Sequence, residues 1–359
     1  MPHFLRSSFS PTLRLACIMM GISLLAGCDN VTKKPSEALV IEGKTMGTFY
    51  RVSLAGVDKS RERALRQQIE AQLVEDDHEL STYKDDSVLS RFNQYQGSVP
   101  QPISAGMADA VITSLRVGLK TGGAMDITVG PLVNLWGFGP QKQPIHTPTD
   151  AQIAAARQEI GLQHLKVIQQ ADGQYLQKDL PNMYVDLSTV GEGYATDHLA
   201  RLIEANGISN YLVSVGGAVV SRGYNPKGNP WQVAIQKPTD KETAVQAIVD
   251  LQGMGISTSG SYSNYYELDG KRISHIIDPA TGHPITHKLV SATVIAPTAL
   301  EADGWDTGLM VLGTQKAMAL AEKEHLAVYL ITKTHDGFET HMTPQFKAYL
   351  RDPEKRDLE

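Results

Sequence analysis

The chain has 359 residues, enough for one large domain or two small ones, and its 42% hydrophobic and 20% charged residues describe a globular protein rather than a disordered or collagen-like one. Thirty-three basic against 39 acidic residues give a formal charge of −6, and no segment is basic enough to track a phosphate backbone, which argues against nucleic-acid binding. The only cysteines, Cys17 and Cys28, lie near the N-terminus, so neither a disulfide scaffold nor a zinc cluster can be built from them.

Residues 1–27 carry Arg6 and Arg14 and no acid. The apolar stretch Leu15–Ala26 is too short to cross a hydrocarbon core of about 30 Å as a helix. A basic start, a short apolar run and small residues before a cut site describe a secretory signal. Leu24-Leu25-Ala26-Gly27-Cys28 resembles the lipobox of bacterial lipoproteins. That resemblance implies an acylated Cys28 as the first mature residue, with Asp29 favouring retention in the inner membrane on its periplasmic face. An ordinary signal peptide with an incidental cysteine is the plainer alternative. Residues 28–38 read as a polar tether, 39–350 as the functional domain and 351–359 as a polar tail.

Leu39–Leu54 alternates apolar and polar residues and predicts a strand broken near Gly47. Leu65, Ile69, Leu73 and Val74 have helical spacing within a helix from about Ser60 to Leu80. A second amphipathic helix runs from Ala108 to Lys120 and is stopped by Gly122-Gly123. Gly130–Pro144 reads as an ordered loop, and Thr149-Asp150 caps a helix through Ile160. Strands are predicted at Leu165–Ile168, Tyr184–Leu187, Tyr211–Val215, Val219–Arg222, Gln232–Ile235, Ala247–Leu251, Gly255–Ser259, Val290–Ile295 and Val328–Thr332. Tyr265–Leu268 and Arg272–Ile277 form a hairpin about Asp269-Gly270. Helices follow at Thr298–Leu312 and Gln315–Glu324. Strands and hairpins in the middle, with long helices elsewhere, predict an α+β fold of mixed, largely antiparallel sheets with flanking helices in a single compact body.

Several common sites are absent: no G-x-x-x-x-G-K-[ST], no H-E-x-x-H, no third Rossmann glycine after Gly191-Glu192-Gly193, and no G-x-S-x-G at Val213–Gly217. Four stretches remain. Gly122–Thr128 permits close backbone approach to a flat or phosphorylated ligand, or is simply a helix end followed by a strand. Asp186–Ala195 puts Ser188 and Thr189 where a helix would begin, either as an N-cap or as a phosphate site. Gly255–Ser261 offers hydroxyls bounded by glycines and is joined by Ser274–Gly282, in which His275 lies on a strand and is either a working imidazole or a satisfied core histidine. In Glu301–Thr307, Asp303, Asp306 and Thr307 share one helical face. Three oxygen donors suit a hard cation such as Mg²⁺, whereas the plain reading is acids complementing a helix N-terminus.

From about Glu42 to Phe346 these pieces together resemble the ApbE family of FAD:protein FMN transferases. The resemblance rests on Lys44-Thr45-Met46-Gly47-Thr48, Leu80–Tyr83, Gly123–Thr128, Val185–Gly193, Ser214–Gly217, Ser257–Gly260, His275–Pro279 and Ala302–Thr307, all in order. It implies a T-fold-like body that binds FAD, uses Mg²⁺ at the pyrophosphate, and moves FMN onto a threonine or serine hydroxyl of a partner protein, releasing AMP. The implied acceptors belong to membrane redox complexes, namely the sodium-translocating NADH:quinone reductase and Rnf-type subunits. By position, Met46, Tyr83, Ala124, Met125, Asp126 and Asp186 would contact the nucleotide, with Glu192, Ser257, Thr258 and Ile277 completing that pocket. The Thr189 carbonyl, Asp303, Asp306 and Thr307 would hold the metal, and His275 would be the general base. Glu192 is a departure, since many relatives carry lysine there.

The implied chemistry is coherent, because a threonine hydroxyl is a weak nucleophile and needs a base near neutral pH. Two alternatives stand beside it. An FAD pyrophosphatase would let water replace the hydroxyl, and a flavin-binding lipoprotein would need no titratable base.

Overall fold

A computed structural model of the protein describes residues 37–141, 143–238, 244–261 and 265–351. The signal segment, Cys28, most of the tether and the tail beyond Arg351 lie outside the described residues. From Glu37 onward the chain forms one unit.

The first strands, β1 (Leu39–Thr45) and β2 (Thr48–Leu54), form a hairpin whose two-residue loop is Met46-Gly47, both at positive φ. The first helix, α1 (Glu62–Leu80), buries Leu65, Ile69, Leu73 and Leu80, as the spacing predicts. Next come α2 (Val88–Gln94) and β3 (Gln101–Ile103), neither evident in the hydrophobic pattern because each is too short to show a period. Helix α3 (Ala105–Lys120) starts three residues earlier than predicted, where the Ser104 hydroxyl accepts the Met107 N–H. The expected loop after Gly130 contains a short helix, α4 (Gly130–Leu135), with Pro131 in its first turn, where a missing N–H costs nothing. Thr149 and Gln152 close a capping box on α5 (Asp150–Arg157), which ends short of Ile160.

A small sheet follows, made by β3 with β4 (Leu165–Gln170) and β5 (Gly173–Lys178). Tyr184–Leu187, expected as a strand, makes only a single bridge from Tyr184 to Val129, because the chain turns at once into α6 (Ser188–Ala205). The strands β6 (Tyr211–Val215) and β7 (Ala218–Arg222), the ribbon β8 (Gln232–Gln236) with β9 (Val245–Asp250), and β10 (Gly255–Gly260) come next. The hairpin β11 (Tyr265–Leu268) with β12 (Lys271–Ser274) stops one residue before His275. His275 therefore lies between strands and not on one, with β13 (Ile277–Asp278) pairing onward to β14 (His283–Pro284). The chain closes with β15 (Leu289–Ala296), α7 (Ala299–Leu312), α8 (Thr314–Lys323), β16 (Ala327–Lys333), β17 (Phe338–Met342) and α9 (Pro344–Lys347).

Eight strands form one antiparallel sheet in the order β1-β2-β6-β7-β10-β15-β16-β17. Alternation splits its two faces. Ile256 and Ile295 enter a core with the β8–β9 ribbon and Phe346, whereas Ala292, Val294 and Ala296 pack with Trp305 and Leu309 of α7 on the other face. A further core lies between α1, α6 and the strands β1, β2, β6 and β7. The fold is α+β with a largely antiparallel sheet, as the sequence predicts.

One buried cation has no carboxylate partner among the described residues. Lys178 on β5 donates to the carbonyls of Asn93 (3.1 Å) and Met183 (3.0 Å) above the Phe92 ring. Burial pulls its ammonium down to about 8. The unfolded chain keeps that proton to about pH 10.4, so it binds more protons than the folded chain between these values. Stability from this group therefore rises with pH across the window and is lost as pH falls through 8. In denaturant titrations from pH 7.5 to 10.5, the wild type should gain stability relative to Lys178→Met. Parallel pH profiles for the two proteins would remove Lys178 as the cause.

Candidate active site

Helix α7 carries two of the candidate acids, and its first turn is gripped from two sides. Thr298 caps it by accepting the Glu301 N–H at 3.1 Å. The N–H groups of Ala299 and Leu300 donate to the two oxygens of Asp197 on α6, at 3.0 and 2.9 Å. A side chain at Gly193 of α6 would run into the Ala299 carbonyl, and one at Gly255 of β10 would run into Thr298 and Ala299. These glycines let helix and sheet close on α7. In that seat Asp303 accepts the Gly193 N–H at 2.8 Å and the Ser257 hydroxyl at 3.1 Å.

One turn on, Asp306 takes the Thr307 hydroxyl at 3.3 Å on one oxygen, while its other oxygen is buried without a hydrogen-bond partner among the described residues. Burial, reinforced by the neighbouring charge of Glu192, lifts Asp303 well above the usual carboxylate range; burial and the adjacent Asp303 do the same to Asp306. Glu192 itself accepts the Gly217 N–H at 2.6 Å, within the Ser214–Gly217 motif, and burial raises it too. Thr189, the remaining candidate, is the second residue of α6, four positions before Gly193. Among the described residues, no group of three or more His, Cys, Asp and Glu side chains is set to hold a metal by itself. The donor set on α7 is instead two carboxylates, one with an unpartnered buried oxygen, and a hydroxyl. It fits a hard cation that completes its shell with substrate oxygens and water.

A second wall stands at the start of α6. The Asp186 N–H donates to the Ile127 carbonyl at 2.7 Å, and its carboxylate accepts the Ser188 N–H at 2.9 Å, fixing where the helix begins. Asp126 accepts both the N–H and the hydroxyl of Thr128, at 2.7 and 2.6 Å, while burial raises its carboxyl. The Tyr83 ring is 67% exposed, yet its hydroxyl donates to the Phe138 carbonyl at 2.9 Å. Burial and the charge of Asp186 raise the phenols of Tyr83 and Tyr184, so all three groups share one environment. Half-buried His275 turns its ring edge-on to Phe138, 6.3 Å between centroids, and Phe138 packs at 5.1 Å on Tyr266.

Other candidates are placed differently. Met46 reaches from its hairpin toward Gly191 on α6. Met125 is fully buried against the Gly304 and Gly308 face of α7, with its N–H donating to the Thr121 hydroxyl at 3.1 Å, while Ala124 beside it is half-buried. Thr258 lies on the opposite sheet face from Ser257 and shares a 2.8 Å hydrogen bond with Thr293. Ile277 is buried with Leu132, Trp136, Ile153 and Ile273. Phe138, Tyr184 and Asp197 are additions. The first sits in the stretch read as an ordered loop, and the last lies two residues beyond the motif that the sequence singles out.

The model of the ApbE family matches residues 46–330 of the chain. A protein of Klebsiella pneumoniae (strain 342) named FAD:protein FMN transferase is 64% identical over 345 residues, covering 95% of this chain and 97% of that protein. One of the same name from Escherichia coli (strain K12) is 65% identical over 328 residues, covering 90% and 93%. A solved structure titled Flavin Transferase ApbE from Vibrio cholerae superposes with a TM-score of 0.79 at 42% identity, covering 88% of this chain and 99% of that one.

The seat of α7 makes its own prediction. Gly193→Ala forces α6 and α7 apart, and overpacking of this kind costs about 1–3 kcal/mol. Urea denaturation should show a loss in that range, whereas alanine at Gly207, exposed to no neighbouring atom but held at positive φ, should cost only its backbone strain of about 1–2 kcal/mol. Only the Gly193 variant should also disturb the Asp303 site. An unchanged midpoint for Gly193→Ala would show that the helices yield freely.

Proposed function

The chain belongs to the ApbE family, and from that membership we propose that it is a flavin transferase that moves FMN from FAD to a threonine or serine hydroxyl of a partner protein and releases AMP. The observation that carries this reading is the start of α6. Ser188–Gly193 joins Asp186, beside the aromatic Tyr83–Tyr184–Phe138 wall, to Asp303 through the Gly193 N–H. A flat ring system and a charged pyrophosphate need such paired surroundings a few residues apart.

In this reading Tyr83 offers an exposed aromatic face to the flavin nucleotide, and Asp126 and Asp186 offer acceptors to its N–H and O–H groups. Thr189, Asp303, Asp306 and Thr307 would hold Mg²⁺, which when bound neutralises charge on the pyrophosphate oxygens. His275 takes the proton of the acceptor hydroxyl on an imidazole nitrogen. The hydroxyl oxygen forms a bond to the FMN phosphorus, and the bond from that phosphorus to the bridging oxygen breaks, leaving with AMP. The acceptors fit membrane redox-complex subunits of the NADH:quinone reductase and Rnf types, and acylation of Cys28 would hold the enzyme at the periplasmic face of the inner membrane beside them.

Mass spectrometry of a candidate acceptor incubated with enzyme, FAD and Mg²⁺ should show the added mass of FMN, absent when the acceptor threonine is replaced or EDTA is present. A general base contributes about 10²–10⁴-fold, so His275→Ala should lose transfer by that factor while still binding FAD. Free FMN with an unmodified acceptor would make the chain a pyrophosphatase, and unchanged FAD would make it a flavin store.

The anchor is tested separately. Cys28→Ser should move the protein from the membrane to the soluble fraction with transfer intact, and retention on membranes after a high-salt wash would exclude acylation as the anchor.

A further inference from the structure

Both candidate cation carboxylates ride on α7, so whatever fixes that helix fixes the cation. A helix has four N–H groups at its start with no partner inside it. In α7 the third and fourth are met by Thr298, through its hydroxyl and its carbonyl. The first two, on Ala299 and Leu300, are met from a different helix, by the two carboxylate oxygens of Asp197. Asp197 is 9% exposed, so water cannot readily take its place. It stands one turn after Gly193, whose N–H binds Asp303. A single turn of α6 therefore holds α7 twice, once by its end and once by its acid.

We infer that Asp197 is the positioning residue of the cation site. This rests on the proposed reading of Asp303 and Asp306 as that site's carboxylates. Asp197 touches neither cation nor substrate; it acts through the placement of α7. A carboxylate is the group that suits the task, because both of its oxygens accept. An asparagine would meet one N–H and turn its own NH₂ toward the other, leaving a buried donor unpaired. A negative charge at a helix start is also favourable there. Metal sites tolerate displacements of only about 0.2 Å in ligand distance, so a small slide or tilt of α7 is enough to spoil coordination. Supporting residues outside the ligand set typically contribute about 10–100-fold to metal affinity.

The test uses Mn²⁺ as a spectroscopic probe, titrated into the full chain and followed by electron paramagnetic resonance, with melting curves recorded in parallel. Asp197→Asn should weaken Mn²⁺ binding by about 10–100-fold while the protein remains cooperatively folded. Asp197→Glu keeps the charge but moves both oxygens by one methylene, and should also bind Mn²⁺ more weakly than the wild type. A folded Asp197→Asn chain with wild-type Mn²⁺ affinity, even at a lowered melting temperature, would reduce Asp197 to a stabilising cap and overturn the inference. Should the asparagine variant fail to fold, wild-type affinity in Asp197→Glu overturns it equally. A wild type that binds no Mn²⁺, or an Asp303→Ala chain that binds it normally, removes the cation site itself and the inference with it.

Discussion

The site depends on how closely the first turn of α7 can lie between α6 and β10. Two missing side chains, at Gly193 and Gly255, set that distance, since any Cβ at either would meet the backbone of residues 298–300. Close approach alone would bury unpartnered N–H groups, which costs more than the packing returns. Asp197 and Thr298 meet those donors, and only then does Asp303 come within reach of the Gly193 N–H and the Ser257 hydroxyl. The order of dependence runs from glycine to helix contact, from helix contact to carboxylate placement, and from there to ligand chemistry.

The electrostatics follow from the same closeness. Burial raises Glu192, Asp303 and Asp306 alike; the charge of Glu192 adds to the rise at both aspartates, and that of Asp303 adds to the rise at Asp306. Gly217, Gly193 and Ser257 supply donors to the first two, so the remaining imbalance is concentrated on the unpartnered oxygen of Asp306. Such a group is satisfied by a proton or by a cation. In the proposed reading that atom, on the face of α7 that Thr307 shares, is where a cation would be held.

Much of this was legible in the sequence, for identifiable reasons. Asp303, Asp306 and Thr307 share a face because helical spacing demands it, and α7 forms where Thr298 caps it. The helix start was legible at Ser188 and Thr189, but not its cap: both lie inside α6, the cap position is Leu187, and it is Asp186 that accepts the Ser188 N–H. Other features depend on tertiary structure and leave no local mark. Alternation says that Ser257 and Thr258 face opposite ways, but which of them meets the helices is decided only by the pairing of β10 with β15, in which Thr258 meets Thr293. His275 continues an apolar-alternating run and so resembles a strand residue, yet the ladder ends at Ser274 and the chain enters a new pairing at Ile277. Helix α4 was hidden by its glycine and proline, which usually mark loops but are tolerated in a first turn.

Met46 shows how local cost and global function trade against each other. A two-residue hairpin loop with both residues at positive φ favours asparagine followed by glycine, and Gly47 meets half of that preference. A side chain in the left-handed region costs about 1–2 kcal/mol, and Met46 occupies it at φ 46°. Asparagine would remove that strain but would be too short to reach α6. Methionine is long, unbranched and adaptable, and from this strained position it reaches Gly191, one residue before Glu192. The strain therefore sits where the hairpin tip leans over the α6 turn that links the aromatic wall to the carboxylates, the one place in this hairpin where reach outweighs turn preference.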